Sequence, residues 1–301
     1  MALGPDTPRH IKVGDRVAGF VHGMNKSHPD IGAFAEYVVA PADLLLRIPP
    51  AMRFEDAASI GLGLYTAGLG LYQELGLAFP EPDPRCPSAS SNDEAPFVLV
   101  AGGSTATGTR ALQLLKRPRL FDLHSAGFRP IATCSPRNFD LVRRFGAEQV
   151  FDYGQDDCAA TIRAYTRNTL ASALDCIATA ETTQLCYGAL GRAGGRYATV
   201  EPFRESVTSQ RALTVVPSWL LAVTVFGRKV DLDGEYARPA RPQDKELALR
   251  LTAYAQTLLD QGQLPTHPVK VVGTGWDSVV RGVATVRKEA LSGQKLVCSV
   301  A

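Results

Sequence analysis

Between residues 97 and 226 short apolar, often β-branched runs alternate with stretches whose apolar positions recur at helical spacing. Half-buried or buried strands produce the first pattern, and helices with one face on a core produce the second. The runs predict strands over 97–101, 130–134, 149–151, 173–177, 196–200 and 222–226. Helices are predicted between them. Over 109–116, Ala111, Leu112 and Leu115 share a face; over 138–145, Phe139, Val142 and Phe145 do the same, and Gly146 follows as a stop. A third helix over 182–190 runs up to Gly191. Strand and helix in turn imply right-handed βαβ units around a parallel sheet, an α/β fold.

The flanks read differently. Strand-like pieces over 16–21 and 33–39 are broken by Gly and Pro, as in a small β-rich lobe. The C-terminal part returns to that style after a helix in which Leu247, Leu251, Tyr254 and Leu258 share a face and Gly262 closes the run. The expected division is 1–62 in a β-rich domain, 63–235 in the parallel-sheet domain and 236–301 back in the first. Residues 79–96, rich in Pro, Ser and Asp, read as a solvated loop.

Composition narrows the classes. With 301 residues, 45% hydrophobic, 21% charged and a formal charge of +2, the chain is globular, neither disordered nor collagen-like, and long enough for two lobes. A charge so near zero gives no broad field for nucleic acid or an anionic membrane. The strongest apolar stretch, 219–226, is far short of the roughly 20 residues of a spanning helix, and the N-terminus lacks the pattern of a signal peptide, so a cytoplasmic location is expected. The six cysteines are scattered without zinc-site spacing and read as reduced, mostly core thiols; with five equally dispersed histidines, no metal is expected.

Candidate chemistry centres on the turn after the first predicted sheet strand. Gly102-Gly-Ser-Thr-Ala-Thr-Gly108 joins that strand to a helix, the context in which glycines let a pyrophosphate reach helix N-terminal amides. Gly103 and Gly108 fill the outer positions of G-x-G-x-x-G, while Thr105 stands at the middle one, leaving Ser104, Thr105 and Thr107 hydroxyls in place of an amide contact. The competing reading is a polar turn that binds nothing. At the end of the second strand, where an NAD site carries Asp or Glu, the chain has Cys134-Ser-Pro-Arg-Asn138. A hydroxyl, a guanidinium and an amide without a carboxylate suit the 2′-phosphate of NADPH; otherwise Arg137 is one more solvated arginine.

These residues, with Val13-Gly-Asp-Arg-Val17, Gly32-Ala-Phe-Ala-Glu-Tyr37 and Gly293-Gln-Lys-Leu-Val297, resemble medium-chain dehydrogenase/reductases, zinc-independent ones in this instance. Ser104-Thr-Ala-Thr107, Cys134-Ser-Pro-Arg-Asn138, Val150-Phe-Asp-Tyr153, Ala173-Leu-Asp-Cys-Ile177 and Gly191-Arg-Ala-Gly-Gly195 are more narrowly similar to the trans-acting enoyl reductases of fungal highly reducing polyketide synthases. The resemblance implies a Rossmann-type domain and a GroES-like catalytic domain. It places Ser104, Thr105, Ala106 and Thr107 on the cofactor phosphates, Ser135, Pro136, Arg137 and Asn138 on the 2′-phosphate, and Tyr153 by the adenine. Val200, Glu201, Gly293 and Gln294 would approach the nicotinamide half. Thr66, Ala67, Gly68, Leu69, Gly70, Leu71, Tyr72 and Gln73, with Val223, Thr224, Val225, Phe226 and Gly227, would line the acyl pocket. Thr66 is the candidate for a catalytic polar contact, or else a helix-start threonine bonded to its own backbone.

Two departures from the family accompany the match. The β-rich segment that members carry ahead of the position of Ile11, with its lysine, is missing, so the catalytic domain is expected to be N-terminally truncated and the chain to turn over poorly, since small misplacements can cost about 100-fold. Residues 117–124 resemble an extended loop or a retained intron. The implied activity is NADPH-dependent reduction of α,β-unsaturated thioesters on the acyl carrier domain of a partner polyketide synthase or synthase–peptide synthetase hybrid, by a monomer, in secondary metabolism. A quinone-reductase-like enzyme acting on free enones and an inactive NADPH-binding remnant are the rival readings.

Overall fold

A computed structural model describes residues 2–5, 7–8, 10–80, 95–116, 127–288 and 291–300. Residues 81–94 of the loop expected over 79–96, and the whole insertion at 117–124, lie outside the described residues. In chain order the strands are β1 (Val17–Ala18), β2 (Leu46–Arg47), β3 (Phe97–Ala101), β4 (Arg129–Cys134), β5 (Gln149–Asp152), β6 (Ser172–Asp175), β7 (Gly195–Thr199), β8 (Val215–Trp219), β9 (Val269–Thr274) and β10 (Lys295–Ser299). The α-helices are α1 (Phe54–Ala57), α2 (Gly61–Gly68), α3 (Ala106–Leu115), α4 (Phe139–Arg144), α5 (Cys158–Tyr165), α6 (Ala180–Ala189), α7 (Glu205–Thr208), α8 (Pro242–Asp260) and α9 (Trp276–Lys288).

Two compact units share the chain: Met1–Tyr65 with Ala222–Ala301, and Thr66–Leu221. Their boundaries fall after 65 and 221, where the sequence pattern placed them after 62 and 235. Segment 222–235 groups with the first unit for a physical reason. Thr224 Oγ1 donates to the buried Asp244 of α8 at 2.5 Å, and the Phe226 ring lies 5.0 Å from that of Phe20.

Unit 66–221 is an α/β fold. Its six strands run parallel in the order β5-β4-β3-β6-β7-β8, with register Leu99↔Ile131 and Leu99↔Ala173 at the centre. Strands covered on both faces read as continuous apolar runs. That is why Val98, Leu99, Val100 and Ala101 are all fully buried. The core joins Leu99, Ile131, Ile162, Leu170, Leu190, Tyr197 and Val215. Burying each large aliphatic side chain contributes about 1.5–3 kcal/mol. The helices have local starts and stops: Thr105 caps α3, Thr179 and Thr182 form a capping box on α6, and Gly146 turns at φ 122 after α4.

In unit 1–65 with 222–301, β1 and β2 pair antiparallel and β9 and β10 pair parallel. Tyr65 Oη donates to Leu44 O at 2.7 Å and lies 2.7 Å from Thr252 Oγ1 of α8, tying the two parts of the chain together.

Four expectations are corrected. Residues 222–226 form a 3-10 helix, because Thr224 is held on Asp244 and the sixth sheet strand is β8, which the pattern did not predict. Residues 33–39 contain no strand, and only Val17–Ala18 of 16–21 pairs; alternation alone does not supply a partner strand. The strand expected over 173–177 ends at Asp175, since the backbone turns to φ 64 at Ala178. Helix α5 was not read at all.

Candidate functional site

Parallel sheets of this order offer a crevice where the strand order reverses, here at the carboxyl ends of β3 and β6. The chain leaves β3 through Gly102, at φ 77, a left-handed conformation that suits glycine. Gly103 passes so near β4 that a Cβ would stand 2.8 Å from Ala132 Cβ. At Gly108 a Cβ would collide with Gly102 O and lie 2.8 Å from Gly103 Cα, so the outer glycines are required by close packing of turn and helix.

Thr105, at the middle position of the motif, is the N-cap of α3. Its hydroxyl oxygen accepts the Gly108 amide at 2.9 Å, and its carbonyl accepts Thr109 N at 2.9 Å. The Ala106 and Thr107 amides belong to the first turn, where no intrahelical carbonyl is available, so they are open to an anion.

Beyond β4 the chain makes a 3-10 turn over Pro136–Asn138. Asn138, largely buried, donates Nδ2 to Ser104 Oγ at 3.3 Å, and Ser135 Oγ lies 3.0 Å from Tyr153 Oη. Ser104, Ser135, Asn138 and Tyr153 are therefore brought together across β3, β4 and β5. Arg137 is exposed and Cys134 occupies the strand end, its thiol pushed up to about 12 chiefly by burial. This donor set, a glycine cradle, open amides, hydroxyls and a guanidinium, fits a nicotinamide dinucleotide.

Val200 follows β7 and donates its amide to Asp175 O at 3.3 Å; Glu201 beside it is exposed. Thr66 is buried in the later part of α2 rather than at a helix start, along with Ala67 and Gly68. The helix then widens to a π-helical turn over Leu69–Glu74, in which Leu69, Gly70 and Leu71 are buried. A Cβ on Gly70 would meet Leu174 Cδ1 at 2.6 Å, and Tyr72 Oη donates to Leu114 O at 3.3 Å; Gln73 is half-buried. Val223 to Gly227, and Gly293 with Gln294 ahead of β10, belong to the other compact unit; Gly227 and Gly293 have φ of 69 and 66.

A group the sequence reasoning passed over is the turn after β6. Asp175 is fully buried, accepts four hydrogen bonds, and holds Ile177 against the glycine turn. The signal available was an Asp at the carboxyl end of the fourth sheet strand, at the switch point. Among the described residues no three His, Cys, Asp or Glu are grouped to hold a metal ion, and no helix is long and apolar enough to cross a membrane.

Sheet order, glycine turn and capped helix define an α/β fold of the Rossmann, dinucleotide-binding type. The chain overlaps the solved structure of an alcohol dehydrogenase superfamily protein from Novosphingobium aromaticivorans with a TM-score of 0.71 at 18% identity, covering 100% of this chain and 79% of that one. It is 65% identical over 300 residues to trans-enoyl reductase caaB of Aspergillus niger, and 61% identical over 300 to trans-enoyl reductase traG of Penicillium crustosum. Each alignment takes in 100% of this chain and 80% of the relative. No protein-family model matches. The chain belongs to the trans-enoyl reductases and is a reductase.

Proposed function

We propose that this enzyme uses NADPH to reduce α,β-unsaturated polyketide thioesters presented on the acyl carrier domain of a partner polyketide synthase, acting as a monomer. The single observation that carries the cofactor choice is the exposed Arg137 between Ser135 and Asn138, with Cys134 where an NAD site would carry a carboxylate. When bound, NADPH would supply the hydride for Cβ of the enoyl thioester, leaving NADP+, and the resulting enolate would take a proton from solvent at Cα. The chain's residues bind and orient. Ala106 and Thr107 amides, with the Ser104, Thr105 and Thr107 hydroxyls, hold the pyrophosphate; Ser135, Pro136, Arg137 and Asn138 surround the 2′-phosphate, and Tyr153 adjoins the adenine. Val200 and Glu201 are assigned to the nicotinamide half. Thr66 is assigned a polar contact to the thioester, and its neighbours over 66–73 a lining for the acyl chain. A carrier arm presents its substrate at high effective concentration, so docking shares in selection with the pocket.

Reconstitution tests this. Synthase, malonyl and methyl donors and NADPH are incubated with and without the enzyme, and the products compared. A saturated position made only in its presence is expected; identical products retaining the same double bonds would exclude the role. Reduction of small free enones without any carrier would favour the quinone-reductase-like alternative.

A further inference from the structure

We propose that Asp175 is a positioning residue of the cofactor cleft, holding the turn after β6 as the wall on its nicotinamide side with Ile177 as the apolar face. This rests on reading the glycine turn as the pyrophosphate site. Asp175 ends β6 and is fully buried. A carboxylate only accepts hydrogen bonds when ionised, and burying one is costly unless its oxygens are filled. Both are filled. Oδ1 accepts the amides of Ile177 and Ala178, each at 2.9 Å, and Oδ2 accepts the hydroxyls of Thr182 at 2.7 Å and Tyr197 at 2.9 Å.

Those bonds act on a strained backbone. Ala178 has φ 64, a conformation that a residue with a Cβ keeps only when its surroundings enforce it. Two consecutive amides converging on one oxygen do so. Thr182 Oγ1 also accepts Thr179 N at 3.0 Å, and Cys176 N donates to Ala101 O at 3.0 Å, so the turn is tied to α6 and β3 as well. The result is an isoleucine left 42% exposed, with Cγ1 and Cδ1 at 2.7 and 2.8 Å from where a Cβ on Gly102 would be.

Strand order gives the side. The 135–138 turn follows β4 on one flank of β3, and the 176–179 turn follows β6 on the other. A dinucleotide lying across the end of β3 with its 2′-phosphate toward β4 has its nicotinamide half toward β6. Ile177 is placed to pack on that half, and Asp175 acts through it without touching the reacting atoms.

The test is calorimetric titration of NADPH and of 2′,5′-ADP, which has the adenosine phosphates but no nicotinamide. Ile177→Ala is expected to raise the NADPH Kd about tenfold and leave that of 2′,5′-ADP within about twofold, the size of effect an apolar contact carries in a binding site. Asp175→Asn and Thr182→Val should show the same split, whereas Arg137→Ala should weaken both ligands. Ile177 is exposed enough to replace without unfolding, and Thr182→Val keeps the Asp175 role open to refutation should Asp175→Asn fail to fold. Equal weakening of both ligands by these variants, or an unchanged NADPH Kd for Ile177→Ala, would overturn the proposal. Unchanged binding in Thr182→Val would overturn the role of Asp175. A wild-type protein that does not bind NADPH would instead overturn the underlying assignment of the glycine turn.

Discussion

Asn138 Nδ2 donates to Ser104 Oγ at 3.3 Å, joining the turn after β4 to the glycine turn after β3. If the two turns bind the cofactor phosphates as proposed, the bond fixes their geometry beforehand, which lowers the ordering cost of binding. Arg137, beside Asn138 in sequence, is exposed.

The first prediction follows from that contrast. Arg137→Ala should weaken NADPH by about 1.5–3 kcal/mol, the worth of a hydrogen bond to a charged group, and leave NADH nearly unchanged. Fluorescence titration of both cofactors checks it. Wild type that binds NADPH and NADH equally would count against the assignment.

The glycine turn gives the second. A methyl on Gly108 would strike the Gly102 carbonyl, which is backbone and cannot swing aside. Gly108→Ala should therefore push α3 off the turn, lowering the melting temperature and abolishing NADPH binding together. Thr105→Ala removes the cap, at about 0.5–2 kcal/mol, together with the hydroxyl proposed for the pyrophosphate, so binding should weaken without loss of the fold. Circular dichroism melts and cofactor titration on the same samples separate the two.

Much of this geometry was readable from local chemistry. The strand at Phe97–Ala101 matches the expected 97–101, because a buried parallel strand needs a continuous apolar run and Gly102 ends it. Gly108 could be singled out because helix-to-turn packing demands glycine at a fixed spacing. Asp175 was legible only as an acid ending a strand at the switch point; what it holds together was not, since two of its bonds reach Thr182 and Tyr197, seven and 22 residues further on. The run 222–226 is apolar enough for a strand, and only its contact with Asp244, distant in sequence, decides for a helical turn. Residues 33–39 failed for a related reason: Phe34, Tyr37 and Val39 remain exposed, so alternation there marks no buried face.

The third prediction concerns pH. Arg129 grips Glu148 through three bonds, Nη2 to Oε1 at 2.5 Å and Nε to Oε2 at 2.9 Å and to Oε1 at 3.1 Å, and Tyr165 Oη donates to Oε1 at 2.8 Å. These bonds, the Arg129 bond foremost, hold the Glu148 carboxyl below its ordinary value. A carboxyl lowered by folding adds stability above its unfolded pKa, about 4.3, and loses it as pH falls through the lower folded value. The pair is partly exposed, so its share is under about 1 kcal/mol. Glu148→Gln should melt slightly below wild type at neutral pH, and the gap should close as the pH falls through the lowered folded value. A gap that persists undiminished in acid would show that the charge is not what Arg129 holds.

The last prediction tests the helical turn at 222–226. Thr224 and Asp244 are both nearly fully buried, and their 2.5 Å bond is joined by the Arg241 guanidinium, 3.1 Å from the same carboxylate oxygen. Thr224→Val keeps the shape and removes the hydroxyl, which deprives a buried carboxylate of a donor at a cost of about 1–3 kcal/mol. Thr224→Ser retains the donor and should restore most of the loss. Because the bond fixes the backbone on which Val223, Val225 and Phe226 stand, residues that the family resemblance assigns to the acyl chain, Thr224→Val should on that assignment also raise KM for the acyl substrate while leaving the Kd of NADPH unchanged. Thermal melting and steady-state kinetics on the two variants decide between a turn that only stabilises its own unit and one that also shapes the acyl pocket. A valine variant that melts lower with KM unaltered would confine Thr224 to the first role.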